Sequence, residues 1–555
     1  MLEYDLNQHF TSNIWLMIPA RGGSKGIPRK NLRLLGGLPL IVHSLQTMSR
    51  ILDKNHLIVS TDDSAIAHVS EPYAMIHHRS AELSSDKANL DEVTVGMLEW
   101  LLEQGASPDD IILTVQPTSP FISTQTIIQG VEKLEAGASS VISVYDDRHL
   151  RWTVDEQGQP QPLYKARVNR QWLPSTYAET GGLFGTHIKT VLETKTRINP
   201  PIDLVIIDRK EGLDIDDYSD WAVAEFQMSR LKVLIRADAG VNLGMGHVYR
   251  AIALAQELSS HELVLATRSD DSYALGANFL QKHPYNIHLL NSEDEFQSLV
   301  EDMQPDILLL DILDTDGDYI QNIRQTPLFL VTLEDLGTGA HLADIVINDL
   351  YSDLYPKQNH WYGVENSILS PYFEIITPKE NMNPQVENIL ITFGGSDPKN
   401  LTLKALQALE EIRFKGNVIV VLGPGYQHDS FSLYDFKLNG QIMKSVANMA
   451  ELARNADLAL TSGGRTVTEM MALGIPTMVL CQNSRELRHT HASSVYGVIN
   501  LGLGEYVDVS SIAQHIEMLV QDTALRESMR QRGINALQQR SNQRIVERIL
   551  EAAKQ

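Results

Sequence analysis

One cysteine, Cys481, stands among 555 residues. No internal disulfide can staple the chain, which fits a reducing cytoplasm better than a secreted scaffold. No apolar run approaches the roughly eighteen residues of a membrane span. The opening MLEYDLNQHFTSN has neither a basic nor an apolar leader segment, so no export or anchoring is expected. Low-complexity tracts and fixed-period repeats are absent as well, which argues against solenoids and disordered tails. Basic residues are in deficit, 46 Lys and Arg against 70 Asp and Glu, for a formal net charge of -24. Such a surface repels phosphate backbones and anionic lipid, so neither nucleic acid nor membrane is an expected partner. An anionic substrate has to be met by a local basic cluster.

Short runs rich in Ile, Val and Leu, each followed by a turn and a helical pattern, recur along the chain: IWLMIPA, HLIVSTD, IILTVQP, SVISVYD, LKVLIRA, ELVLATR, ILLLDIL, ILITFGG, VIVVLGP, LALTSGG and TMVLCQN. The alternation predicts an α/β protein of parallel sheets flanked by helices. The length exceeds one hydrophobic core. The pattern restarts after DWAVAEFQMSR, so the predicted domains are 1–228 and 229–555, the second divided near residue 385 into lobes 229–385 and 386–555. A long charged helix is expected over about 523–553, packing back across both halves of the chain.

The basic cluster lies in MIPARGGSKGIPRKN, where Arg21, Lys25, Arg29, Lys30 and Arg33 fall within thirteen residues after an apolar strand. Gly22, Gly23 and Gly26 let the backbone curl, and its N–H groups can cradle an oxyanion. The spacing is neither that of a P-loop nor that of a dinucleotide loop, and a solvated basic turn would explain the composition alone. Asp214 and Asp216, in LDIDD, stand two apart, so in an extended segment both carboxylates project to one face, as Mg²⁺ shared with substrate phosphates requires. LTVQPTSP delivers Gln116, Thr118 and Ser119 at the carboxyl end of a strand, where open α/β sheets bind ligands.

In order, IPARGGSKGIPRKN, STDD, HRSAELSSD, QPTSP and LDIDDYSDWAVAE resemble the N-acylneuraminate cytidylyltransferases over about residues 13–228. The resemblance implies a Rossmann-like, GT-A-like nucleotidyltransferase domain that joins CTP to a nonulosonic acid. It implies CTP contacts from Arg21, Gly23, Ser24, Asn31, Arg79 and Asp86, with Lys30 near the reacting phosphate. Gln116 and Arg170 would hold the sugar acid, Asp214 and Asp216 would hold Mg²⁺, and a homodimer is the implied assembly. The chain leaves the family pattern at PFIST (120–124), DRHLRW (147–152) and Thr180–Gly181. In that family these positions line the sugar side of the pocket, so the resemblance implies a nonulosonate other than N-acetylneuraminate.

RADAGVNLGMGHVYR repeats the strand, glycine loop and helix theme, with His247 at the helix start. Further on, ALTSGGRTVTEMMALGIP sets Gly463 and Gly464 before a helix and Glu469 one turn inside it, an arrangement suited to a diphosphate and ribose hydroxyls. The set resembles the two-lobed, GT-B-type UDP-sugar hydrolases of pseudaminic acid biosynthesis, and Gly244, Gly246, His247 and Arg250 match their G-x-G-H-x-x-R. The resemblance implies that His247 is the general base. It implies that Gly244, Gly246, Arg250, Gly463, Gly464, Glu469 and Asn483 bind the UDP-sugar, with no cofactor. Where the family has Asp-His-Tyr, this chain reads Asp311, Ile312 and Leu313. Glycosyl transfer, or UDP-sugar binding without turnover, therefore stays open beside hydrolysis for this half.

Overall fold

The computed structural model describes residues 4–23, 26–84, 88–240, 243–352, 359–444, 446 and 448–554. The chain forms two compact units, Met1–Ser229 and Arg230–Gln555.

The first unit is built on a seven-stranded sheet of Ile14–Pro19, Leu57–Thr61, Met75–His78, Ile111–Thr114, Ser140–Asp146, Tyr177–His187 and Ile202–Ile207. Numbered along the chain, the strands lie in the order 3-2-1-4-6-5-7. The sequence reading of an all-parallel sheet needs one correction. Tyr177–His187 runs antiparallel to both its neighbours, and its Gly181, Gly182 and Gly185 hide it from a search for Ile/Val-rich runs. The first strand is buried along Ile14, Leu16 and Ile18 on one face and Trp15 and Met17 on the other, as a central strand covered on both sides must be. Helix Tyr218–Met228 begins at Asp217, which with Asp220 forms a reciprocal capping box; that cap fixes where the preceding Asp214–Asp216 segment must lie.

The second unit contains two parallel sheets. The first lobe has Lys232–Ala237, Glu262–Arg268, Asn286–Leu290, Ile307–Asp311, Phe329–Leu333, Ile345–Asn348 and His360–Tyr362 in the order 3-2-1-4-5-6-7. The second lobe has Asn388–Thr392, Asn417–Leu422, Asn439–Lys444, Leu458–Thr461, Thr477–Cys481 and Val498–Leu503 in the order 3-2-1-4-5-6. Both are doubly wound sheets whose switch point lies beside their first strand.

The single helix expected at 523–553 is two helices, Thr523–Leu537 and Asn542–Ala552. Ser541 breaks the run by accepting from the Arg544 N–H as the N-cap of the second. That last helix leaves the second lobe and sets Ile545, Val546 and Ile549 into the core of the first, with Val233, Ile235 and Val248. Arg548 stacks on Trp361 at 3.8 Å. Among the described residues, no helix is long and apolar enough to cross a membrane.

Candidate functional sites

In the first unit the carboxyl ends of three neighbouring strands, Ile14–Pro19, Leu57–Thr61 and Ile111–Thr114, carry the candidate residues. The loop after the first strand is tied down by the second: Gly22 N–H donates to Asp62 Oδ1 at 2.9 Å, and Arg29 reaches Asp63 at 3.5 Å. Arg29 itself adopts φ 52°. On its other side the loop meets Asp216, whose backbone oxygen would stand 2.2 Å from any Cβ at Gly26. Only glycine permits that approach. Gly23 has open space where a Cβ would stand.

Lys30 crosses to the same segment. Its Nζ donates to the Ile215 carbonyl at 2.5 Å and lies 3.5 Å from Asp216 Oδ1. Asn31 is buried and donates to the Arg21 carbonyl at 3.0 Å. Arg79 is anchored on Ser60, with bonds of 3.1 Å to Oγ and 2.9 Å to the carbonyl oxygen. Burial pulls its guanidinium down to about 10 against the attraction of Asp62. Arg29, Lys30 and Arg33 of the opening loop are engaged by the fold, Arg33 lying over the Tyr218 and Trp221 rings at 5.5 and 5.3 Å. Lys25, Ser24 and Asp86 lie outside the described residues.

Asp214 and Asp216 differ in setting. The Asp216 side chain is 79% exposed, whereas Asp214 is partly buried and its Oδ1 has no hydrogen-bond partner among the described residues. Burial pushes the Asp214 carboxyl up, the Thr118 side chain pulls it down, and Asp216 adds a further push. An orphaned carboxylate oxygen beside an exposed one is a donor set that fits a hard cation sharing its shell with water and phosphate. No cluster of three or more His, Cys, Asp or Glu side chains able to hold a metal occurs among the described residues.

Gln116 packs against Gly181, where a Cβ would come within 3.2 Å of its Cβ and Cδ. Thr180 is locked to Ser143 at 2.6 Å. The structure therefore joins one family departure, Thr180–Gly181, to Gln116. Arg170 stands in an exposed turn, Arg170–Trp172, where it assists Arg148 in holding the Asp146 carboxyl down.

In the second unit the strand ends of the two lobes face each other. Gly244, at φ +88°, closes the first loop by donating to the Gly240 carbonyl at 2.8 Å, and helix Gly246–Glu257 follows. His247 is buried, with its Nδ1 2.6 Å from Asp311 Oδ1. Asp311 ends its strand and also binds Arg250 through both carboxylate oxygens. The next two strands are each followed directly by an acid, Glu334 and Asp349, which lie 3.4 and 3.6 Å from the Arg250 guanidinium. Arg250 is thus held in the layer beneath His247.

From the second lobe, Arg465 spans to Glu334 at 3.0 Å and to Asp349 at 3.1 Å. Its stem crosses Gly246, where a Cβ would stand 3.3 Å from Arg465 Cδ. Arg485 reaches Asp314 at 2.8 Å. Gly463 N–H donates to Glu486 at 3.0 Å. Burial pushes the Glu469 carboxyl up to about 7, against the Thr466 hydroxyl. Asn483 Oδ1 accepts from the N–H groups of Arg485 and Glu486, capping helix Ser484–Leu487.

Motif reasoning missed Glu334, Asp349, Arg465 and Arg485. The one available signal was an acid just past each of two consecutive buried strands. Cys481 is buried and its thiol is pushed up to about 11, so it is an inert core group.

Two family models match this chain: Cytidylyltransferase over residues 15–164 and Glycosyltransferase family 28 C-terminal domain over residues 388–549. CMP-N,N'-diacetyllegionaminic acid synthase of Legionella pneumophila is 31% identical over 221 residues, 38% of this chain and 94% of that protein. Through its first unit the chain belongs to the cytidylyltransferase family, here fused to a GT-B-type unit. Spore coat polysaccharide biosynthesis protein SpsG of Bacillus subtilis is 28% identical over 320 residues, 55% of this chain and 93% of that protein. An uncharacterized protein of Methanocaldococcus jannaschii is 32% identical over 274 residues, 46% of this chain, and the match spans 56% of that relative's own length.

Proposed function

We propose that the chain carries two activities of nonulosonic acid biosynthesis. In the first unit the anomeric hydroxyl of a nonulosonic acid attacks the α-phosphate of CTP, the bond to the β-phosphate breaks, and CMP-nonulosonate and diphosphate leave. Lys30, pinned over the Asp214–Asp216 segment, is the observation that carries this reading. It sets a cation where charge develops on the phosphates, while the glycine loop supplies N–H groups to the rest of the triphosphate. The named activity of the Legionella relative supports a diacetamido sugar acid as substrate. Gln116, backed by Gly181, and Arg170 bind its carboxylate end.

Asp214 and Asp216 are the residues that would hold Mg²⁺. When bound, the ion supplies charge neutralisation to the phosphates and orients them. A homodimer is proposed from the resemblance, and the exposed Trp152, Trp172 and Leu163 support it. The single buried cysteine supports a cytoplasmic setting.

In the second unit the reading is hydrolysis of a UDP-2,4-diacetamido-2,4,6-trideoxyhexose. Water attacks the anomeric carbon, the bond to the β-phosphate oxygen breaks, UDP leaves, and His247 takes the water's proton. The His247–Asp311 pair carries this reading. An imidazole whose Nδ1–H is held by a buried carboxylate presents Nε2 as a base. The glycosyltransferase family 28 match keeps sugar transfer as the second reading.

One assay separates them: UDP release from the UDP-sugar with and without acceptor. Water-only turnover that His247→Ala abolishes supports hydrolysis, and acceptor dependence supports transfer. For the first unit, diphosphate release from CTP must require a 2-keto nonulosonic acid.

A further inference from the structure

The segment His489–Thr490–His491 contains two buried histidines that neither activity uses. His489 Nδ1 lies 2.7 Å from the carbonyl oxygen of Gly463, and His491 Nε2 lies 3.1 Å from that of Gly464. A carbonyl oxygen only accepts, so each ring carries its proton on the nitrogen facing the glycine. The opposite nitrogens, His489 Nε2 and His491 Nδ1, are buried with no hydrogen-bond partner among the described residues. Protonation would place a donor there with nothing to receive it. Burial accordingly holds both imidazoles down to about 4, with Arg485 and Arg488 adding to the effect at His489 and His489 adding to it at His491. Both rings are neutral donors throughout the physiological range.

The geometry has a directional consequence. Across a trans peptide the C=O and the following N–H point in opposite directions. Pinning the Gly463 and Gly464 carbonyls to the imidazoles turns the N–H groups of Gly464 and Arg465 away from them. Successive N–H groups turned to one side form an anion-binding concavity. The segment is held from the other lobe too. Thr490 N–H donates to the Leu350 carbonyl at 2.9 Å, and the Tyr351 ring meets His489 edge-on at 5.1 Å. Asp349, the neighbour of Leu350, is the residue that pairs with Arg465. Both lobes therefore fix the placement of this brace.

We propose that His489 and His491 are positioning residues that hold the Gly463 and Gly464 carbonyls so that the N–H groups of Gly464 and Arg465 turn to the diphosphate of a nucleoside-diphosphate sugar. This rests on the reading of the second unit as a UDP-sugar site. Neither histidine touches the reacting atoms. Each acts through the peptide it holds.

The test is UDP binding to the full chain by calorimetry, with amide replacements that keep or misplace the donor. An Asn amide nitrogen overlies histidine Nδ1, and a Gln amide nitrogen overlies Nε2. His489→Asn and His491→Gln are therefore matched, and His489→Gln and His491→Asn are swapped. The matched pair is expected to bind UDP within about threefold of the parent, and the swapped pair about tenfold or more weaker, as loss of one oriented hydrogen bond implies. Thermal melting of the second unit reports an intact fold in every variant. Equal UDP affinity for matched and swapped amides, whether high or low, overturns the proposal. Absence of UDP binding in the parent chain overturns the underlying UDP-sugar reading instead.

Discussion

Asp311 Oδ1 stands 2.6 Å from His247 Nδ1, and the same carboxylate binds the Arg250 guanidinium three residues further along the helix. One buried anion thereby fixes the tautomer of an imidazole and neutralises the cation packed under it. Two roles in one residue make its replacement informative. Asp311→Asn is expected to lower kcat for UDP release by about 10²-fold and to destabilise the second unit by about 3–5 kcal/mol, because Arg250 is left short of charge. His247→Ala is expected to lose as much turnover with no comparable loss of stability. Steady-state rates beside thermal melts separate the two. Equal destabilisation by both variants would reduce His247 to a packing residue.

Lys30 holds the Ile215 carbonyl and approaches Asp216 from within the glycine-rich loop. Lys30→Met is expected to reduce kcat for diphosphate release about 10²- to 10³-fold, with the affinity for CTP changed far less. Single-turnover rates beside CTP binding check the split. Asp214→Ala combined with Asp216→Ala is expected to abolish the Mg²⁺ dependence of the rate along with most of the rate. Activity equal to the parent's would remove both aspartates from the mechanism.

The Glu469 carboxyl, pushed up to about 7 by burial, gives a pH signature with a definite sign. Between the ordinary carboxyl value near 4 and 7, the folded chain keeps a proton that the unfolded chain has released. Stability from this group is therefore full at low pH and is lost as pH rises through that window. The stability advantage of the parent over Glu469→Gln is expected to shrink from pH 5 to pH 8, read as the difference in Tm of the second unit. UDP affinity should move the other way, since an ionised carboxylate is the better acceptor for ribose hydroxyls. A widening Tm gap would mean that the carboxylate is paired and ionised instead.

Arg170 stands exposed in the Arg170–Trp172 turn, and its proposed role is to bind the sugar acid's carboxylate. Arg170→Ala is expected to raise KM for the nonulosonic acid about tenfold while leaving KM for CTP within about twofold. A parallel rise in both would place Arg170 on the nucleotide side.

Strands made of unbroken Ile, Val and Leu were legible in the sequence because burial on both faces leaves no other composition open to them, as in IWLMIP and VLIRA. Tyr177–His187 was not, since its glycines make room for Gln116 and Ile122 and carry no hydrophobic signal. The break at Ser541 was missed because the charged run QQRSNQR continues a helical composition through it. The glycine loops, Lys30 and His247 were legible because each belongs to a motif a dozen residues long. Glu334, Asp349, Arg465, His489 and His491 were not. They come from separate strand ends and loops of two lobes, and only tertiary packing makes them neighbours.

The most direct measurement is a paired assay on the full chain. UDP release is followed from UDP-2,4-diacetamido-2,4,6-trideoxyhexose in water alone, and diphosphate release is followed from CTP with each of a panel of nonulosonic acids. The expected result is that both reactions proceed in the parent, that His247→Ala silences only the first, and that Lys30→Met silences only the second. UDP release that requires an acceptor would contradict hydrolysis, and either substitution silencing both reactions would contradict the assignment of two independent active sites to this chain.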